Sequence, residues 1–256
     1  MKLHIINPNT SQAMSDKILQ VAQRARRTAD VEVLTSTQGP ASLESHVDDA
    51  LAIPGLLLHA QALEAHRATD GILIACFGDP GIDAVRELSS VPVLGIAESA
   101  MRTAAMLGER FSVVTTLART LPTAQRIVQR IGLAQQCARL RACNVPVQSL
   151  EHADTECRAL LLQECQRAAK EDDIDAIVLG CAGMADLAAE LSDAIGLPVV
   201  DGVSAGIQLL EGLVHQGLRP VKHRDHAYPA TKAALGPYAS LLSSSLSTGA
   251  AVHDTY

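Results

Sequence analysis

The sequence predicts an α/β protein of two pseudo-symmetric domains, each with a mainly parallel four-stranded sheet flanked by helices. Apolar strand-like runs alternate with longer segments of helical periodicity through most of the 256 residues. One segment is also present twice, since residues 70–78 (DGILIACFG) recur as residues 175–183 (DAIVLGCAG). The match continues downstream, where residues 91–94 (VPVL) correspond to residues 197–200 (LPVV). Such a duplication predicts a ligand site in the cleft between the two halves.

The first half of the chain contains four predicted strands, at residues 3–6, 31–34, 71–75 and 92–95. Apolar side chains at helical spacing follow the N-cap candidates at residues 9–11 and predict a first helix. A second helix is predicted over residues 51–66. Asp79 is expected to be the N-cap of a third helix, with Pro80 at its first position.

The second half repeats this plan. Its predicted strands are residues 111–115, 140–143, 176–179 and 198–200, and its predicted helices are residues 121–131, 154–170 and 184–195. Gly196 is expected to end the last of these helices as a left-handed cap.

The expected domain boundaries follow from these elements. Residues 1–96 with 203–220 form the first lobe, and residues 97–202 form the second. From residue 221 onward the periodicity fades, and the chain becomes rich in small residues such as Ser243, Ser244, Ser245 and Ser247. Residues 221–256 are therefore expected to be a peripheral or partly disordered tail.

Composition restricts the functional classes. The net charge of −7 provides no basic face for a phosphate backbone, so no nucleic-acid partner is expected. No run approaches the ~18 apolar residues that a membrane span needs, and the apolar N-terminal run ends at Asn7-Pro8. A cytoplasmic location, reduced cysteines and no membrane partner are expected. The six cysteines form no Cys-x-x-Cys pair and no zinc-like spacing with histidine, so no metal site is predicted.

Cys76 and Cys181 are the candidate catalytic residues, because each ends a buried strand of the duplicated segment. Ligands bind to open α/β sheets at such strand ends. Two thiols facing one cleft from opposite sides have the geometry for removing a proton from a carbon and returning it to the other face. A helix start after each thiol is expected to lower its pKa. A single buried cysteine is more often a core residue, and the duplication is what favours chemistry here.

The remaining four cysteines receive no functional role. Cys157 and Cys165 lie with Leu161 on one face of a predicted helix and are expected in the core, while Cys137 and Cys143 flank a weakly defined strand.

Five motifs, in this order, resemble the hydantoin and allantoin racemases of the aspartate/glutamate racemase superfamily. They are residues 6–10 (INPNT), 39–44 (GPASLE), 76–81 (CFGDPG), 113–116 (VVTT) and 180–184 (GCAGM). The resemblance extends from residue 2 to about residue 219. It implies a cofactor-independent two-base racemase, a small cyclic ureide as substrate, and a homo-oligomer.

The resemblance also implies roles for individual residues. Cys76 and Cys181 would be the catalytic pair, and the substrate-binding residues would be Asn7, Pro40, Ser42, Gly78, Asp79, Thr115, Thr116, Ala182 and Gly183. Among these, the loop at residues 39–42 would close over the ring, and the amides after each cysteine would hold the substrate carbonyls. Structural roles remain open for several of them: Asn7 as part of a turn, Thr115 and Thr116 as caps, Ser42 as a loop residue. His46 is either a solvated side chain or a residue that tunes a thiol.

The sequence identifies the substrate less narrowly than it identifies the type of reaction. The matched motifs contain no Arg or Lys, which favours neutral donors and an uncharged polar ring, and none of the five lysines lies at a predicted strand end, so no pyridoxal-type cofactor is expected. The resemblance favours allantoin. The alternatives are 5-alkyl or 5-aryl hydantoins, aspartate, glutamate or maleate as substrates within the same superfamily, and a two-lobed binding protein without chemistry.

Overall fold

Two parallel sheets of four strands each form the framework of the protein, whose computed structural model describes residues 1–151 and 155–243. The first sheet has the order β2-β1-β3-β4 and the second the order β6-β5-β7-β8, so the two halves share one topology. The strands are β1 (Lys2–Asn7), β2 (Asp30–Thr35), β3 (Gly71–Ile74), β4 (Val93–Gly95), β5 (Phe111–Thr115), β6 (Cys137–Ala142), β7 (Ala176–Gly180) and β8 (Val199–Val200). This architecture confirms the predicted fold class.

Helices connect the strands and cover both sheets. They are α1 (Gln12–Ala25), α2 (His46–Ala65), α3 (Ile82–Leu88), α4 (Ile96–Ala105), α5 (Leu121–Arg130), α6 (Thr155–Glu171), α7 (Ala188–Ile195), α8 (Gly202–His215) and the short α9 (Ser240–Ser243). Short 3₁₀ helices lie at Ala118–Thr120, Val147–Leu150, Ala182–Leu187 and Arg224–His226. In the part of the chain that the structure describes, no helix is both long enough and apolar enough to cross a bilayer.

Most predicted elements are present with shifted ends. Helix α2 begins five residues earlier than predicted, because the Ser45 hydroxyl accepts the N–H of Asp48 and acts as its N-cap. The helix predicted over residues 184–195 is a 3₁₀ helix followed by α7, which ends at Gly196 with φ +76° as expected. Residue 154, the predicted start of α6, lies outside the described residues.

The N-cap predicted for Asp79 is wrong. Helix α3 begins at Ile82, and the residue before it is Gly81 with φ +62°. The buried Asp79 carboxylate instead accepts the N–H groups of Ala97 and Glu98, both at 3.0 Å, in the first turn of α4. Asp79 therefore caps a helix that begins 17 residues further along the chain.

Helices α4 and α8 were not predicted, and they join the two halves. They pack against each other, α4 contacts β7 of the second sheet, and α8 contacts β3 of the first. One apolar cluster runs through this region and contains Leu3 of β1, Phe111 of β5 and Met101 of α4. Because this core is continuous, it fixes one sheet relative to the other.

The described part of the predicted tail lies against the first half. The Lys222 ammonium group donates to the carbonyl oxygens of Arg86 and Glu87, both at 2.7 Å, at the end of α3. The Tyr228 hydroxyl donates to the Glu64 carboxylate at 2.8 Å. Residues 244–256, which include Ser244, Ser245 and Ser247 of the predicted tail, lie outside the described residues.

Asp79→Ala is expected to lower the free energy of unfolding by about 2–4 kcal/mol, because two buried amides at the start of α4 lose their charged acceptor. Urea denaturation measures this change. Asp83→Ala is the matched control, since the Asp83 side chain is 64% exposed and pairs only with arginines at 3.4 Å and 3.8 Å in the described structure. The control should change stability by less than about 0.5 kcal/mol. Equal midpoints for the two variants would show that the cap contributes little.

Candidate active site

A cleft opens where the carboxyl ends of both sheets meet. It has about 870 Å³ of space, including the part open to solvent. The lining residues come from both halves: Asn9, Met14, Leu43, Glu44, Ser45, His46, Asp49, Ala75, Cys76, Phe77, Gly78, Thr115, Thr116, Arg119, Thr120, Thr123, Ala124, Val147, Gly180, Cys181 and Ala182.

The two duplicated cysteines line this one cleft from matching turns. Cys76 lies two residues after the end of β3, and Cys181 directly follows β7. The carbonyl oxygen of Cys76 accepts the N–H of Asp79 at 3.0 Å, and that of Cys181 accepts the N–H of Met184 at 3.1 Å. Both cysteines are reduced and remain partly exposed. The repeated sequence thus folds into a repeated turn, and both cysteines line the same cleft.

Burial dominates the acid–base properties of both thiols. It raises the pKa of Cys181 to about 11 and also raises the pKa of Cys76. The N–H groups of Gly78 and Gly183 donate to the sulfur atoms of Cys76 and Cys181, respectively, and act in the opposite direction. The expectation of lowered pKa values is wrong, because desolvation outweighs these amides. The expected helix start is also absent directly after Cys76.

Four of the predicted binding residues lie beside the two cysteines in the cleft wall: Gly78, Thr115, Thr116 and Ala182. The Thr115 hydroxyl donates to the carbonyl oxygen of Gly180 at 2.8 Å, which ties the end of β5 to the residue before Cys181. Thr115 thereby holds the second cysteine turn in place.

The remaining predicted binding residues have bonding partners within the protein. The fully buried Asn7 donates its side-chain amide to Asn9 Oδ1 at 2.8 Å and to Ser15 Oγ at 2.9 Å, so it orients Asn9, which lines the cleft. The carbonyl oxygen of Pro40 accepts the N–H of Thr10 at 3.0 Å. The Ser42 hydroxyl lies 3.5 Å from the Glu44 carboxylate, to which it donates.

The amides expected to hold substrate carbonyls are largely occupied. Those of Gly78 and Gly183 point to the cysteine sulfurs, and that of Asp79 closes the turn at Cys76. This differs from the role that the resemblance implied for these three amides.

Charged side chains missed by the sequence analysis line the cleft. Glu44 precedes α2, Asp49 lies in its first turn, and Arg119 lies just before α5. Arg119 is therefore a charged donor in a site where neutral donors were expected. His46 also lines the cleft, with Nε2 3.4 Å from the Arg126 guanidinium group. Burial raises the pKa of Asp49. None of these residues ends a strand, the feature that revealed the cysteines.

Glu44 also connects the two halves across the cleft. Its carboxylate accepts the N–H of Val147 at 3.0 Å, so the segment before α2 is fastened to the loop after β6.

A comparison with known families decides the family of this chain. Residues 3–210 match the model of the Asp/Glu/Hydantoin racemase family, which is more than half of the chain. The chain belongs to this family. Its racemase fold explains why the two halves share one sheet order and place matching turns at one cleft.

Individual members of the family align with this chain over nearly their whole length. A hydantoin racemase of Rhizobium meliloti is 40% identical over 237 residues, which are 92% of this chain and 98% of the relative. The solved allantoin racemase from Klebsiella pneumoniae is 42% identical with a TM-score of 0.91, over 94% of this chain and 98% of that one. The allantoin racemase from Pseudomonas fluorescens is 33% identical with a TM-score of 0.85, over 92% and 100%.

Gly180→Ala is expected to disturb the second cysteine turn. A Cβ atom at Gly180 would lie 2.5 Å from Cβ of Thr115 and 2.8 Å from its Oγ1, so the end of β5 must move, at a cost of about 1–3 kcal/mol. Gly212→Ala, in α8 with open space around the added atom, should instead stabilise by up to about 1 kcal/mol. Thermal unfolding of both variants measures the difference. A Gly180→Ala protein as stable as the parent would show that β5 tolerates the shift.

Proposed function

We propose that this chain is a cofactor-independent racemase of 5-substituted hydantoins, in which Cys76 and Cys181 are the two acid/base groups and allantoin is the substrate. The observation that carries the proposal is that two thiols in matching turns line one cleft from opposite halves of the fold. A site of this kind suits a reaction that removes a proton from one face of a carbon and supplies one to the other.

The proposed chemistry begins with one cysteine as thiolate and the other as thiol. The thiolate removes the hydrogen at C5 of the ring, and the electron pair delocalises into the neighbouring carbonyl to give an enolate. The opposite thiol then protonates C5 from the other face, which leaves the first cysteine protonated and the second as thiolate. The reverse reaction uses the same steps with the roles exchanged. Since burial raises the thiol pKa values, each thiolate is a stronger base than a cysteine thiolate in water.

Allantoin is favoured by the composition of the cleft. Its C5 substituent is a ureido group, which carries both hydrogen-bond donors and a carbonyl acceptor. Glu44 and Asp49 supply acceptors, and Arg119 supplies donors, in the cleft wall. The 42% identity to a protein described as an allantoin racemase supports the same choice.

Hydantoins with alkyl or aryl substituents are the second candidate. The 40% identity to a hydantoin racemase favours them, and Met14, Phe77 and Val147 provide apolar wall in the same cleft. Within this proposal the enzyme acts in ureide breakdown as a homo-oligomer, as the family resemblance implies, and its location is the cytoplasm, as expected from the sequence pattern.

Polarimetry tests the substrate. One enantiomer of allantoin should lose its optical rotation in the presence of the protein, and more rapidly than 5-benzyl- or 5-isopropylhydantoin. Faster loss with the apolar hydantoins would select the second candidate. Turnover of aspartate, glutamate or maleate with no effect on any hydantoin would overturn the proposal.

Cys76→Ser and Cys181→Ser test the two roles separately. Each variant should lose racemisation by at least about 10³-fold, because a serine hydroxyl is a far weaker acid and its alkoxide is not populated near neutral pH. In deuterated water, NMR should still detect exchange of the C5 hydrogen of one enantiomer, and the enantiomer should differ between the variants. Cys157→Ser, on α6, is the control and should retain activity. Racemisation by either active-site variant at the parent rate would contradict the two-thiol mechanism.

The pH dependence of kcat/KM should reflect the raised thiol pKa values. The active free enzyme carries one thiolate, and with a pKa of about 11 for Cys181 this form is a minor species near pH 7. The value of kcat/KM should therefore rise by up to about tenfold per pH unit between pH 7 and pH 9. Initial rates across this range at low substrate concentration measure the slope. A profile that is already flat at pH 7 would show that the thiolate forms more readily than burial predicts.

A further inference from the structure

The backbone around the two cysteines is nearly symmetric, but the charges around them are not. Carboxylates surround Cys76: Asp49 lines the cleft beside it, and Asp79 follows it in the same turn. Cys181 has a cation in its surroundings, the ammonium group of Lys17 on α1. The duplication therefore reproduces the turn and not its electrostatic environment.

Lys17 is held behind the Cys181 turn by three contacts. Its ammonium group donates to the carbonyl oxygens of Gly183 at 2.9 Å and Leu150 at 2.7 Å, and it lies 3.1 Å from Asp186 Oδ1. The Lys17 side chain is only 12% exposed, so solvent screens its charge poorly. Because α1 belongs to the first half and Gly183 to the second, this cation reaches across the interface to the second cysteine.

The other charged groups near each thiol strengthen the difference. Around Cys181, Glu44 and the Cys143 thiol oppose Lys17. Around Cys76 the main charges are Asp49, Asp79 and the Cys181 thiolate, all of which disfavour a negative charge on Cys76, while Arg130 lies 3.8 Å from the Asp79 carboxylate and offsets part of its effect. His46 and Arg119 also line the shared cleft, and both residues are exposed. Among the described residues, the poorly exposed ammonium group of Lys17 therefore favours a thiolate at Cys181.

We propose that Lys17 is a positioning residue that makes Cys181 the thiol that ionises first, so that the active form of the free enzyme carries its thiolate on Cys181 and its proton on Cys76. Cys181 is then the base for the enantiomer whose C5 hydrogen faces the second half. After that turnover the proton has moved from Cys76 to the product and the substrate proton resides on Cys181. Return to the starting form requires exchange of protons with solvent. The catalytic consequence rests on the proposed function, whereas the order in which the two thiols ionise does not.

Alkylation by iodoacetamide tests which thiol ionises first, because the thiolate is the reactive form. The two cysteine-containing peptides are quantified by mass spectrometry over time between pH 7 and pH 10. In the parent protein, Cys181 should react at least about tenfold faster than Cys76 at pH 8, and its reaction should titrate at lower pH. Faster reaction of Cys76 throughout this range would overturn the proposal.

Variants separate the charge of Lys17 from its bonds. Lys17→Met should slow alkylation of Cys181 by about threefold or more and move its titration to higher pH, whereas Lys17→Arg should preserve both. Asp186→Asn removes the counter-ion of the ammonium group and should accelerate alkylation of Cys181. Unchanged Cys181 reactivity in Lys17→Met and Asp186→Asn would assign Lys17 a purely structural role.

Two further measurements keep the test independent of folding and of the proposed reaction. Asp49→Asn leaves Lys17 unchanged and should accelerate alkylation of Cys76, so it provides a result even if Lys17→Met fails to fold. An unchanged rate of Cys76 alkylation would contradict the claim that nearby carboxylates disfavour the Cys76 thiolate. Alkylation needs no substrate. If Cys181 is alkylated faster than Cys76 but the protein racemises no hydantoin, the proposed function is rejected and the role of Lys17 is retained.

Discussion

The packing of α4 against α8 is the constraint on which the site depends. Each of these helices follows the last strand of one half and contacts the sheet of the other, so apolar burial locks the two sheets into one orientation. The cysteine turns are extensions of β3 and β7, and their separation is therefore set by this core and not by the turns themselves. Asp79 connects the Cys76 turn to this core, because its backbone N–H closes the turn while its carboxylate caps α4.

Desolvation is the second determinant of the chemistry. A thiol at a helix start is commonly made acidic, yet both cysteines here are buried enough that the neutral form is favoured. For the proton transfer proposed above this would be an advantage, because a thiolate whose pKa is raised is a stronger base and a thiol whose pKa is raised keeps its proton near neutral pH. The N–H groups of Gly78 and Gly183 lower the thiol pKa values, but by less than burial raises them.

The sequence predicted the strands and the cysteine pair because both leave local signals. The buried run of residues 71–74 and its copy before Cys181 are typical of central parallel strands, whose ends bind ligands. Helix α4 leaves no such signal, since Gly95 precedes it and the capping carboxylate comes from Asp79, far back in the chain. The charged wall was missed for a similar reason. Asp49 lies in the first turn of α2, and Arg119 lies just before α5. Polar residues at such positions are usually solvated, and only the tertiary fold brings these two into the cleft that contains the thiols.

Asp79 reaches α4 because Gly95 has no side chain, and a Cβ atom at that position would overlap the carboxylate. Neither position is therefore free to vary alone during evolution. Any larger residue at 95 displaces the Asp79 carboxylate and with it the Cys76 turn, whereas loss of the carboxylate leaves no reason to keep glycine. The pair is expected to be inherited together or replaced together, so that two sites distant in sequence act as a single unit of selection.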